Sequence, residues 1–381
     1  MNEIYLDHAA TSPMHPAVVD VMAEAMKEVF GNPSSIHQLG RHARKYLDES
    51  RHTIASAIGA KDHEIIFTGG GSEADNQAIS GTAYARRHEG RHIITTAIEH
   101  HAVLHTCQRL EADGFEVTYL PVTKEGVISL VDFKNALRED TILVTIMYGN
   151  NEVGSVQPIK EIGELLVNHQ ASFHTDAVQA FGIEKIDVNE LKIDLLSASA
   201  HKLNGPKGLG ILYQRDGIAL QSLILGGEQE RKRRAGTENV PAIVGFAKAV
   251  ELAQQTLTEK AAQYTEYQEI MLKAFTESDI AFKVNGCSSN KLPHVLNISF
   301  DGMDVESFLI NLDMAGVEVS SGSACTAGSI DPSHVLVAMF GKQSKELRNS
   351  IRFSFGYGLS NDKVAEAAQR TISIVKRFAN V

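Results

Sequence analysis

From about residue 60 to residue 213 the chain repeats one alternation. Short runs rich in isoleucine, valine and threonine (EIIFTG, HIITTAI, EVTYLPV, TILVTIMY, SFHTDAV, IDLLSASA and GLGILY) recur, several of them separated by helical segments. Apolar runs of this kind demand burial on both faces, which a mostly parallel sheet covered by helices provides, so an α/β fold is expected. In open sheets of that class ligands sit beyond the carboxyl ends of the strands. The rule singles out Gly69 to Ser72, Glu99-His100, Asn150-Asn151, Asp176, and Ser199 to Lys202.

The flanks read differently. Residues 2 to 14 form an extended arm with a turn at Ser12-Pro13, and Pro16 opens an apolar-periodic helix that Gly31-Asn32-Pro33 ends. A second helix runs from about His37 to Ile58, with Gly59 as its cap. After Pro241 one long helical stretch to about residue 274 bridges to a smaller α+β domain, with strands near VLNISF and IRFSF and helices near 304 to 315 and 362 to 378. A chain of 381 residues suits such a division, because single cores stop growing near this size. The segment SSGSACTAGS, 320 to 329, has the composition of a mobile loop.

Composition removes several classes of function. A formal net charge of -11 argues against a direct nucleic-acid partner, which needs a basic face. The basic run Arg231-Lys232-Arg233-Arg234 lies beside Glu228 and Glu230, and reads as a solvated loop or the rim of a pocket for an anionic ligand. Three widely spaced cysteines give no disulfide framework and no CxxC site, which suits a reducing cytoplasm. The start, MNEIYLDHAAT, lacks the basic and apolar regions of a signal peptide, and no apolar run approaches the ~20 residues of a membrane span. No HExxH occurs, and His101 and His105 lack a third ligand nearby, so no metal is expected.

Chemistry concentrates at the strand ends. Lys202 follows an apolar strand and is penned by Ser199, His201 and the Gly205-Pro206 turn; a lysine desolvated in this way is lowered in pKa and suited to a Schiff base. Asp176 ends another strand, where a carboxylate needs a charged partner, and a protonated pyridine nitrogen is one. Gly69-Gly70-Gly71-Ser72 joins a strand to a helix N-terminus and so offers a phosphate cradle. His100 is placed to stack on a flat cofactor and shuttle protons, and Arg352 to clamp a carboxylate. Cys325, in the Gly/Ser segment, has the setting of a nucleophile, whereas Cys107 lies in a helix and reads as a buried structural thiol. Taken singly, each has a plainer reading: a solvent-facing lysine, a glycine turn capped by Ser72, an Asp capping a turn, an incidental loop thiol, a surface salt bridge.

Taken together these residues resemble the NifS/IscS-type cysteine desulfurases of the class V aminotransferase family. The likeness runs in order through YLDHAAT, GNPSSIH, FTGGGSEADN, EHHAVL, NNEVG, HTDAVQ, SASAHKLNGPKGLG, RRAGTENVP, SSGSACTAG and IRFSFG, with the loop in the style of the long mobile-loop group. It implies a type I pyridoxal-phosphate-dependent fold in a homodimer. The large cofactor domain would span 15 to 255, and residues 1 to 14 and 256 to 381 would form the small one. By the same likeness Lys202 forms the Schiff base with pyridoxal 5'-phosphate, Asp176 pairs with the pyridine nitrogen, Gln179 bonds the phenolic oxygen and His100 stacks on the ring. Gly71, Ser72, Ser199 and His201 hold the phosphate, with Thr237 from the other subunit, while Asn151 and Arg352 bind the carboxylate of L-cysteine. Cys325 takes the sulfur as a persulfide for an acceptor protein, an iron-sulfur scaffold or a tRNA-thiolating enzyme. A selenocysteine lyase or other β-lyase, and a non-catalytic sulfur-relay scaffold, are the alternatives. Two departures stand out: Ser72 replaces a threonine, and YGLSND follows IRFSFG, which passes the cap of the last helix to Ser360.

Overall fold

A computed structural model describes residues 3–321 and 332–379. A two-residue strand in the N-terminal arm, β1 (Ile4–Tyr5), precedes the alternating region. There the apolar runs become β2 (Ile65–Thr68), β3 (His92–Thr96), β4 (Glu116–Leu120), β5 (Thr141–Thr145), β6 (Ser172–Asp176), β7 (Leu195–Ser199) and β8 (Gly210–Gln214). They pair in the order β2-β8-β7-β6-β5-β3-β4. The pairs β3/β4, β3/β5, β5/β6 and β6/β7 are parallel, and β8 alone opposes its neighbours β2 and β7. The sheet is thus mostly parallel, as its continuous apolar runs require. The carboxyl ends of β2, β3, β5, β6 and β7 consequently open on one edge, which is where the chemistry-bearing residues lie.

Helices cover both faces. On one, Val18, Leu47, Ile54, Phe246 and Val250 pack over Phe67, Ile94, Val144, Phe173 and Leu196. On the other, Ile79 and Ala83 join Val103, Cys107 and Leu110 over Ile93 and Leu143. Cys107 is wholly enclosed there, and burial pushes its thiol pKa far up, so it fills space and stays inert.

The helical stretch expected after Pro241 is two helices, Val240–Gln255 and Leu257–Glu277. Between them Thr256 leaves helical geometry (φ -118°, ψ 12°), with its hydroxyl donating back to the Leu252 carbonyl at 2.9 Å. The break lets the first helix pack on the large sheet and the second on a separate core.

That second core lies under β9 (Phe282–Asn285), β10 (Val295–Phe300) and β12 (Ser350–Ser354), antiparallel in the order β12-β10-β9, while β11 (Val317–Glu318) pairs in parallel with β1. Phe275, Phe300, Phe308, Phe353 and Phe355 fill it, together with Ile4 and Leu6 of the N-terminal arm. The last helix, Asn361–Ala379, closes it, and Ser360 Oγ accepts the Lys363 amide at 3.4 Å as the cap. Phe275 meets Phe300 edge to face at a centroid distance of 5.4 Å and Phe282 at 5.7 Å. Phe275→Ala is expected to cost about 3–5 kcal/mol, read as a lower midpoint of urea unfolding; a midpoint unchanged within error would show that the ring is not a keystone of this core.

Candidate active site

The site is built from its lysine outward. β7 ends at Ser199 and the chain turns through one 3-10 turn, Ala200–Lys202, closed by the amides of Leu203 and Gly205 on the Ala200 carbonyl. Gly205 is required here, since a Cβ would lie 2.7 Å from that carbonyl oxygen. The turn sends Lys202 back under the N-terminal arm, where Nζ donates to the carbonyls of Ala9 (2.5 Å) and Ala10 (2.8 Å). Burial, aided by the Arg352 guanidinium, lowers its pKa to about 8 against the pull of Asp176 and Asp7.

Asp176 ends β6 and is enclosed. Oδ1 accepts the Val178 amide at 2.8 Å, and Oδ2 has no partner among the described residues. Burial raises its pKa, while His100 and Lys202 pull it down. Two more enclosed acids lie nearby. Glu99 is raised to about 8 by burial even though the Met147 amide and Thr96 hydroxyl donate to it, and Asp75 is raised by burial and by Asp176 itself.

His100 caps the helix His101–Ala112, its Nδ1 accepting the Ala102 amide at 3.1 Å, so the ring proton resides on Nε2. Burial lowers its pKa, Asp176 opposes this, and Lys202, His101 and His334 add to the lowering. Gln179 Nε2 donates to the Ala9 carbonyl at 3.0 Å, the same oxygen that holds Lys202. Arg352 is buried; one NH2 group donates to the Asn151 carbonyl (2.9 Å), the other to Asp7 Oδ1 (2.7 Å), and Nε has no partner among the described residues.

His100, Asn151, Asp176, Gln179, Lys202 and Arg352 all line one cavity of about 290 Å³. Gly71 and Ser72 begin the helix Gly71–Arg86 at its wall: a Cβ on Gly71 would lie 2.7 Å from Val178, a cavity residue, and 3.6 Å from the Ser199 Cβ. Ser199 is buried and Ser72 exposed, while His201 meets Thr11 Oγ1 at 3.0 Å and is lowered by burial to about 4. Thr237 is exposed and off this cavity's wall, and Cys325 lies outside the described residues. Sequence reasoning missed the Ala9 and Ala10 carbonyls, Asp7 and His294. Asp7, Ala9 and Ala10 sit in YLDHAAT, but nothing local reveals that the arm crosses the site. Three larger clefts, about 500, 400 and 390 Å³, lie elsewhere. In the first, Arg86 and Arg215 already donate to Glu89, Ser172 and backbone carbonyls, so volume does not locate the chemistry.

These residues fit pyridoxal phosphate. An enclosed carboxylate with one unpartnered oxygen calls for a cationic donor such as a pyridinium, an amine lowered to about 8 suits a Schiff base, and a helix N-terminus pressed close through Gly71 suits a phosphate.

The family model for aminotransferase class-V matches residues 4–366. A putative cysteine desulfurase IscS 1 of Bacillus subtilis is 60% identical over 378 residues, covering 99% of this chain and 100% of that one. Among solved structures, a NifS-like protein superposes with a TM-score of 0.92 at 33% identity, over 98% of this chain and 100% of the other. SspA in complex with cysteine gives 0.81 at 40% identity, over 92% and 98%.

Lys202 in the cofactor-free chain is expected to react with an aldehyde probe half-maximally near pH 8, read by pulse labelling and peptide mapping. Since the fold lowers this pKa, the unfolded chain binds more protons between about pH 8 and 10.5, and the penalty on folding eases as pH rises through that window. A labelling midpoint near that of a free lysine would refute the enclosure.

Proposed function

The chain belongs to the class-V aminotransferase family, and from that premise we propose that it is a cysteine desulfurase. The enzyme is pyridoxal-phosphate-dependent and converts L-cysteine and the Cys325 thiol into L-alanine and a Cys325 persulfide. The observation that carries this reading is one cavity lined by Lys202 with its lowered amine, Asp176 with its half-partnered carboxylate, and the Arg352 guanidinium.

When bound, the cofactor supplies an electron sink for the bonds at the substrate Cα. The chain's residues do the rest. Arg352, through Nε, and Asn151 orient the substrate carboxylate. Lys202 would hold the cofactor covalently and its amine would move the Cα proton; an amine near pKa 8 gives a proton up readily close to neutral pH. His100 would stack on the ring with its own proton on Nε2, and Asp176 would keep the pyridine nitrogen protonated. Gln179 would donate to the phenolic oxygen, and Gly71, Ser72, Ser199 and His201 would hold the phosphate. The Cys325 thiolate attacks the substrate sulfur, the C–S bond breaks, and the Cβ left behind takes a proton to give alanine.

A homodimer completes the reading, with Thr237 of a second copy joining the phosphate. Support comes from exposed apolar side chains, Phe30 (74%), Ile36 (90%) and Leu225 (81%), in segments that adjoin the cleft formed by Ser34, Arg231 and Glu238. We further assign the large domain to 15–255, the small domain to both termini, and the persulfide to an iron-sulfur scaffold or tRNA-thiolating acceptor in the reducing cytoplasm.

Incubation with L-cysteine is expected to release alanine and leave a persulfide on Cys325, detected by alkylation and mass spectrometry. Cys325→Ala should abolish both, and undiminished turnover by that variant with an acceptor present would sink the proposal. Arg352→Lys should lower kcat/KM for L-cysteine by roughly ten- to a hundredfold, because one charge-assisted hydrogen bond is worth roughly 1.5–3 kcal/mol.

A further inference from the structure

His294 lies one residue before β10, fully enclosed, behind Gln179. Its Nε2 stands 3.1 Å from Gln179 Oε1, while Gln179 Nε2 stands 3.0 Å from the Ala9 carbonyl oxygen. A carbonyl only accepts, so the nitrogen end of the Gln179 amide must face Ala9 and its oxygen must face His294. His294 therefore donates from Nε2 and carries no proton on Nδ1. Consistently, Nδ1 is enclosed with no partner among the described residues. Burial, with His8, Lys202 and Arg352 nearby, keeps the ring neutral.

The backbone that carries the ring is held firmly. The Phe355 amide donates to the His294 carbonyl at 2.8 Å, and the buried Gln268 amide donates to the carbonyls on either side, Pro293 (2.7 Å) and Val295 (3.2 Å). The small domain thus presents one fixed donor to one side chain of the large sheet's edge.

We infer that His294 is a positioning residue for Gln179: it locks the amide in the one orientation that turns N–H, rather than C=O, toward the phenolic oxygen of the cofactor. The inference rests on the cofactor reading above. Lys202 Nζ and Gln179 Nε2 bond the same Ala9 oxygen, so the two nitrogens are neighbours. In pyridoxal phosphate the phenolic oxygen is ortho to the carbon that bonds the lysine nitrogen, so a donor beside that nitrogen meets that oxygen. Gln179 Nε2 carries two hydrogens, of which Ala9 takes one and the second is left for this task. Without the His294 donor the amide oxygen is buried unpaired, and the amide gains reason to turn.

The test compares wild type, Gln179→Ala, His294→Leu, the double variant and His294→Gln, which keeps a donor at similar reach. Pyridoxal phosphate affinity is read by equilibrium titration of the cofactor-free protein, and the bound cofactor by its visible absorption band without substrate. His294→Leu is expected to bind the cofactor about tenfold more weakly and to shift the band as Gln179→Ala does. In the Gln179→Ala background the same change should add nothing further, and His294→Gln should retain the wild-type band. Losses that simply add in the double variant, or a His294→Leu protein indistinguishable from wild type, overturn the inference. Should His294→Leu not fold, a displaced band in folded His294→Gln overturns it equally. A wild-type chain that binds no cofactor removes the cofactor reading and this inference together, whereas the other failures remove the inference alone.

Discussion

Two backbone carbonyls, of Ala9 and Ala10, hold the amine of Lys202, and much of the structure serves to keep them there. They belong to an arm that has no sheet of its own beyond β1. Ile4 and Leu6 anchor it in the second core, the Ser354 amide donates to the Leu6 carbonyl, and the Ala9 amide donates to Ser354 Oγ. From the other side the Ser12 amide and hydroxyl both donate to the His201 carbonyl, one residue before the lysine. The arm is therefore a strap between the two cores. Lys202 is desolvated only when both cores are folded and the strap lies across the sheet edge.

The same enclosure decides the charges. Asp75, Glu99 and Asp176 are all buried close together, and like charges in one low-dielectric region are not all tolerated. Among the described residues beneath them, none supplies a cation. His174, which bonds Thr145 Oγ1 through Nδ1 (2.8 Å) and Ser197 Oγ through Nε2 (3.0 Å), is lowered by burial to about 3 and is neutral. Asp176 is the acid of the three that lines the cavity, where Lys202 already draws its pKa down. A cationic ring bound there would add to that countercharge and answer the unpartnered carboxylate oxygen directly.

Much of this was legible in the sequence because a parallel sheet converts strand ends into neighbours. Asp176, Ser199 and Lys202 end or follow predicted strands, and reading where apolar runs stop was enough to bring them together. What escaped depends on contacts no local pattern encodes. Asp7 pairs with Arg352 across 345 positions of sequence, and His294 meets Gln179 across 115. In the sequence His294 is a lone histidine beside an apolar run, indistinguishable from a core histidine until the second sheet docks. The break at Thr256 escaped for a different reason: the apolar period continues through it, and its hydroxyl bond to the Leu252 carbonyl is one that Thr106, Thr265 and Thr371 also make inside unbroken helices, so no local signal marks it.

The basic run after Glu228 illustrates how packing can hold a costly backbone. Glu230, Arg231 and Lys232 take φ values of 47°, 58° and 68° in succession, a left-handed path that costs roughly 1–2 kcal/mol per residue. Glu230 is the reason it persists. Its buried carboxylate takes a bidentate pair from Arg51, both contacts at 2.7 Å, and the Phe67 amide at 3.2 Å. Removing a partner would leave a charge stranded beside β2, a penalty of the same order as the strain it offsets. Glu230 is thereby fixed, and the chain beyond it turns outward through Arg234, itself paired with Glu73 of the helix that begins at Gly71. The run therefore reads as a braced rim rather than a solvated loop. Thr237, three residues past Arg234, stands on a base tied both to the sheet and to the proposed phosphate helix, which suits the role proposed for it at a second copy's site.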